Sequence, residues 1–173
     1  MAVNFSDVIL SDQNESRKLI VSVQKAMVAT KLTDRLIKQL DILKKTQNVS
    51  YTGTGCFVVD LDNLTAANVI EDPTKETVTI RIGHPYLQAV EIDPNDVIID
   101  AVEESLLARG GIELTLADYR AIERDLRSRL GEKFDTAANG QAADELAPKM
   151  VQAVYEPVVK AVDRRYQVIM RFQ

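Results

Sequence analysis

Every second residue from Val49 to Leu61 is apolar or glycine: Val49, Tyr51, Gly53, Gly55, Phe57, Val59 and Leu61. Ser50, Thr52, Thr54 and Asp60 stand among the residues between them. Side chains of an extended chain alternate between two faces, so this rhythm predicts a long half-buried strand. Gly53 and Gly55 predict a bend or bulge within it. The rhythm returns at 77–82, where Val78, Ile80 and Ile82 point inward and Thr79 and Arg81 outward, after a turn at Asp72-Pro73. Weaker alternation over 19–29 puts Val21, Val23, Met27 and Ala29 on one side and Ser22 and Gln24 on the other. Further extended segments are expected at 87–92 and 97–102, separated by a turn at Asp93-Pro94-Asn95, and at 166–172, which returns to the sheet.

Helical spacing appears in three places. Thr33 precedes Leu36, Ile37 and Leu40, a short helix with a capping threonine after the first strand. Thr115 and Asp118 resemble a capping box, and Leu116, Tyr119, Ile122, Leu126 and Leu130 form an apolar stripe, with Gly131 ending or weakening the helix. A second long helix is expected over 141–162, apolar on a broad face through Leu146, Met150, Val151, Val154, Tyr155, Val158, Val159 and Val162. A face that wide must lie against the sheet. Pro148 and Pro157 within it predict a late start or a kink. Residues 103–108 fit either a helical turn or a strand end, closed by Gly110-Gly111. The fold class expected is α+β: a mostly antiparallel, bent sheet covered by two C-terminal helices, with a short helix after the first strand and a final C-terminal strand.

With 173 residues, 46% of them apolar and 27% charged, the chain can build one core without staples. Residues 1–15 read as a flexible terminus or the remnant of a tether, and residues 16–173 as a single α+β domain. The first fifteen lack the basic start and long apolar middle of a signal peptide. No run of eighteen apolar residues occurs, so no membrane span is expected. A single cysteine, Cys56, excludes an internal disulfide. The net charge of −5 comes from the middle of the chain, where residues 50–105 carry 2 Lys/Arg against 11 Asp/Glu. Phosphate contacts need cations, so nucleic acid is excluded as a general partner of that surface.

Candidate chemistry is sparse. His84 is the only histidine, so no histidine cluster can hold zinc. Between Gly83 and Pro85 it more simply shapes a turn. Cys56 lies mid-strand between Gly55 and Phe57, where a thiol is usually inert. Asp60, Asp62, Asn68 and Glu71 imitate the spacing of a calcium loop, but Thr65 stands where its glycine belongs and a strand precedes it. Glu103 and Glu104 point to opposite faces if extended, and Glu91 with Asp93 has no orienting partner. Thr52-Gly53-Thr54-Gly55 lacks the third glycine and the following helix of a phosphate cradle. Arg120, Arg124 and Arg127 line one helix face and suit anionic headgroups or an acidic partner. The plainer reading pairs Glu123 with Arg127 and Asp125 with Arg129 on a solvated face. No catalytic, metal or cofactor-binding residue is assigned, and no cofactor is expected. His84, Arg120, Arg124 and Arg127 are the candidate ligand or partner contacts.

The order of segments 51–61, 79–85 (Thr-Ile-Arg-Ile-Gly-His-Pro), Glu91-Ile-Asp-Pro94 and Pro157-Val-Val-Lys-Ala-Val162 resembles domain of unknown function 4230, an uncharacterised bacterial family, from about Ser16 to Phe172. The resemblance implies a β-rich part followed by long helices, and an N-terminal membrane-spanning helix that this sequence lacks. It carries no activity and no site residues. More loosely, strands followed by charged helices are similar to band-seven membrane scaffolds. The expectation is a non-enzymatic interaction or scaffold module, membrane-tethered at the cell envelope, or alternatively cytoplasmic, contacting a protein partner or a membrane surface. Alternatives are a hydrolase with an unfamiliar site near His84 and a small-ligand or divalent-ion binder. Nothing in the sequence fixes an oligomeric state.

Overall fold

Val78, Ile80 and Ile82 are wholly buried, as their period-two spacing predicts. In the computed structural model, which describes residues 4–10, 18–35, 44–101, 103–104 and 116–173, they lie on β4 (Thr77–Ile82). β4 is the middle strand of a sheet ordered β3 (Val69–Asp72), β4, β7 (Gln167–Phe172). β3 pairs with it antiparallel, Val69 facing Ile80 and Asp72 facing Thr77. The turn between them is built by Asp72, whose Oδ1 accepts from the Thr74 and Lys75 backbone N–H groups, both at 3.1 Å. Glu76 takes the left-handed backbone that closes the turn, with φ 51°. β7 pairs with β4 in parallel, from Thr77 opposite Gln167 to Ile82 opposite Phe172.

The helix leading into β7 is α3 (Ala137–Val162), which packs on that strand. It starts earlier than its apolar pattern predicts, because the Thr136 hydroxyl accepts from the Asn139 N–H at 3.3 Å and caps it. Pro148 and Pro157 both lie inside the helix, so neither delays its start. The buried ridge is Ala143, Ala147, Val151, Tyr155 and Val159, at strict four-residue spacing. Leu146, Met150 and Val154, expected to be inward, are 40%, 38% and 45% exposed. Small alanines let the helix backbone approach its neighbours, whereas hydropathy favours the bulkier residues beside them.

Residues 5–10 lie within the segment read from the sequence as a flexible terminus. They form α1 (Phe5–Leu10), with Phe5 and Ile9 each 3% exposed. The Phe5 ring lies 4.6 Å from that of Tyr166. One apolar cluster joins these residues to Phe57, Val59, the β4 valine and isoleucines, the α3 ridge and Val168.

The remaining strands form a second sheet in the order β1 (Lys18–Arg35), β2 (Lys44–Asp60), β5 (Tyr86–Ile99). β6 (Glu103–Glu104) pairs antiparallel with β2, Thr46 facing Glu103 and Lys45 facing Glu104. β2 is the strand that the sequence rhythm predicts, with Val49, Gly53, Gly55, Phe57, Val59 and Leu61 all buried in or just beyond it. β1 departs from its expected pattern. Leu19 and Val21 turn inward, but from Ser22 on the even positions are the more buried, and Val23 and Met27 are 57% and 49% exposed. A one-residue change of phase within the strand exchanges the two faces. β1 still includes Thr33, while the short helix expected at 36–40 lies outside the described residues. β5 runs without a break through Asp93-Pro94-Asn95, where a turn was expected. As the edge of the sheet it tolerates a proline, whose missing N–H need not join the ladder.

α2 (Leu116–Phe134) continues past Gly131 for three more residues. Its expected cap, Thr115, and Gly110-Gly111 lie outside the described residues. Leu126, Leu130 and Phe134 are buried, but Leu116 and Tyr119 are 67% and 58% exposed, so only the C-terminal half of the predicted stripe enters a core.

Two compact units result. The first holds residues 1–23, 56–88 and 136–173; the second holds residues 24–55 and 89–135. β1, β2 and β5 each give residues to both. In the second unit, glycines on β2 let α2 close on the sheet. Leu130 methyls fill the space above Gly53, and the Phe134 ring fills that above Gly55. Polar ties hold the same helix: Lys133 Nζ donates to the Met27 carbonyl at 2.7 Å, and the Thr30 hydroxyl donates to Asp125 Oδ2 at 3.3 Å. Among the described residues no helix is long and apolar enough to cross a membrane.

Candidate functional site

Moving back along β2 from Gly55 and Gly53, the next residue on the same face is Tyr51, and its bulk ends the close approach of α2. The mismatch opens a cleft of about 510 Å³ within the second unit. Tyr51 from β2, Ile92 and Val97 from β5, and Leu116, Tyr119, Arg120, Glu123 and Arg127 from α2 line it. The exposed half of the α2 stripe therefore forms a cleft wall.

Arg127 is already committed. Its Nη1 donates to the Val90 carbonyl at 2.8 Å and its Nη2 to Glu123 Oε1 at 3.1 Å, which fixes the guanidinium and offsets its charge. Arg120 has no hydrogen bond or ion pair among the described residues. Burial pushes the Tyr51 phenol up, and the neighbouring Tyr119 and Glu123 side chains push in the same direction. Tyr51 therefore stays protonated at neutral pH and can donate a hydrogen bond. Aliphatic walls, two phenols and one uncommitted guanidinium are groups that bind and orient.

Of the residues singled out by sequence, Arg120 and Arg127 meet at this cleft. Arg124 is exposed on the same helix and does not line it. The ion pairs Glu123–Arg127 at 3.1 Å and Asp125–Arg129 at 2.8 Å both form. His84 belongs to the first unit. Its Nδ1 lies 2.9 Å from Asp144 Oδ1, and its ring stacks on Phe172 with centroids 4.2 Å apart. Asp60 accepts from the Asp62 N–H at 2.9 Å and the Asn63 amide at 3.2 Å, closing the turn after β2. Among the described residues, no group of three or more His, Cys, Asp or Glu is placed to hold a metal.

Sequence reasoning missed Tyr51, Ile92 and Val97. Tyr51 carried a usable signal, a large residue following two glycines on one strand face. Ile92 and Val97 were hidden by the turn wrongly expected between them.

No curated protein and no solved structure matches the chain. The family described as protein of unknown function (DUF4230) matches residues 2–169 of the 173. With that span covering nearly its whole length, the chain belongs to the DUF4230 family.

Proposed function

We propose that this protein is a non-enzymatic binding module of a membrane-tethered bacterial protein, with the cleft beside α2 as its working surface. The observation that carries this reading is Arg120, a guanidinium without a hydrogen bond or ion pair among the described residues, set beside two tyrosines and an aliphatic wall. Such a combination recognises a ligand by charge and shape. The tether rests on the resemblance to a family whose members commonly carry an N-terminal membrane-spanning helix.

Native mass spectrometry of the protein after incubation with a bacterial small-molecule extract tests the reading. A saturable adduct retained unchanged by the wild type and lost in Arg120→Met supports it. No adduct in either, or chemical conversion of the bound species, overturns it.

A hydrolase centred on His84 is the second reading, favoured by the hydrogen bond to Asp144, which could orient an imidazole base. Loss in His84→Ala of an activity found by substrate screening would establish it. Unchanged turnover in that variant removes it.

A further inference from the structure

We infer that the cleft takes a small amphipathic monocarboxylate: one anionic head joined to a compact apolar or aromatic body. The inference rests on the binding-module reading and adds the chemistry of the ligand. Charge sets the head. Glu123 offsets Arg127 through their 3.1 Å ion pair, so Arg120 is the one uncommitted cation of the lining among the described residues. A single guanidinium matches a single carboxylate, as two parallel N–H···O bonds.

Shape and polarity set the body. Ile92, Val97 and Leu116 side chains offer no hydrogen bonds, and Tyr51 and Tyr119 add aromatic rings to the lining, which suits an aromatic or branched group. A volume of about 510 Å³ falls within the range of small-molecule sites. A sugar or a nucleotide would leave most of its polar groups unmatched against this wall, which costs affinity. A multiply charged phosphate would exceed the one uncommitted cation among the described lining residues.

Three probes that share a phenylbutyl body and differ in the head test the inference: 4-phenylbutyrate, neutral 4-phenylbutanol and cationic 4-phenylbutylamine. Binding is read by amide chemical shifts of the full chain, and by tyrosine fluorescence, which no tryptophan obscures. The expected result is saturable binding of the acid, with shifts at Tyr51, Tyr119 and Arg120. The alcohol and amine should bind at least about tenfold more weakly, as should the acid to Arg120→Met, in keeping with the strength of a charged hydrogen bond. Arg124→Met should bind as the wild type does. Equal binding of acid and alcohol at the cleft overturns the anion assignment while leaving the binding module standing. No shift at the cleft with any probe removes both. Phosphatidylglycerol vesicles form the last arm: vesicles that sediment the protein through Arg120 and block phenylbutyrate replace the free acid with a lipid surface.

Discussion

Phe134 occupies the place that a side chain on Gly55 would take: its Cγ and Cδ2 stand 2.7 Å from where a Cβ would sit. Phe134 is 1% exposed, so its ring has little room to yield. Gly55→Ala should destabilise the protein by about 1–3 kcal/mol, the usual cost of overpacking. Urea unfolding measures it. Paired with Phe134→Leu, the same substitution should cost less than the sum of the two single changes, because they share one space.

Gly131 and Gly140 are glycines of the opposite kind. Each lies inside a helix with nothing within 4 Å of an added Cβ. Gly131→Ala and Gly140→Ala should each stabilise by up to about 1 kcal/mol through helix propensity alone. Thermal unfolding of the two variants checks this, and a loss of stability in either would show that its helix surface is occupied.

Glu76 holds a left-handed backbone, φ 51°, and reaches Arg165 at 3.1 Å. Glu76→Val should cost about 1–2 kcal/mol, because a β-branched residue resists that conformation. Glu76→Asn should be close to neutral, since asparagine tolerates it. Denaturant midpoints of the two variants separate backbone strain from loss of the ion pair, which both variants share.

Asp72, Glu156 and Asp163 are all held below the ordinary carboxylate range, chiefly by side-chain hydrogen bonds from Lys75, Lys160 and Arg165. A carboxyl whose folded pKa is depressed adds stability above its unfolded pKa, about 3.9 for Asp and 4.3 for Glu, and loses it as pH falls through the folded value. Arg165→Met should therefore be less stable than wild type at pH 7, and the difference should vanish at acid pH once Asp163 is protonated in both states. Chemical unfolding across that range gives the measurement, and a gap that persists at low pH would assign the effect to packing of the Arg165 stem.

The parts of the fold that were legible in the sequence are those where one physical term dominates. Val78, Ile80 and Ile82 alternate because one sheet face is buried, and the rhythm reports it directly. β1 misled because a phase change within an unbroken strand moves Val23 and Met27 to the outer face, and hydropathy carries no trace of such a shift. On α3, close approach selected Ala143 and Ala147 over Leu146 and Met150, a choice set by distance to the neighbouring elements. The candidate site was half legible. Arg120 and Arg127 stood out by spacing, but Tyr51, Ile92 and Val97 reach the cleft through sheet pairing, which a linear pattern does not encode.

The parallel partnership of β4 with β7 joins Thr77 to Gln167, about ninety residues further on. On the ribosome, every residue of the second unit has been made by Asp135, whereas β4 waits with one side unpaired until Phe172 emerges. For that interval a short valine- and isoleucine-rich ribbon offers its backbone to any other nascent chain nearby. Slowing synthesis between residues 136 and 167 would prolong that exposure, so production yield should fall with pauses there and be insensitive to pauses before β4 has been made.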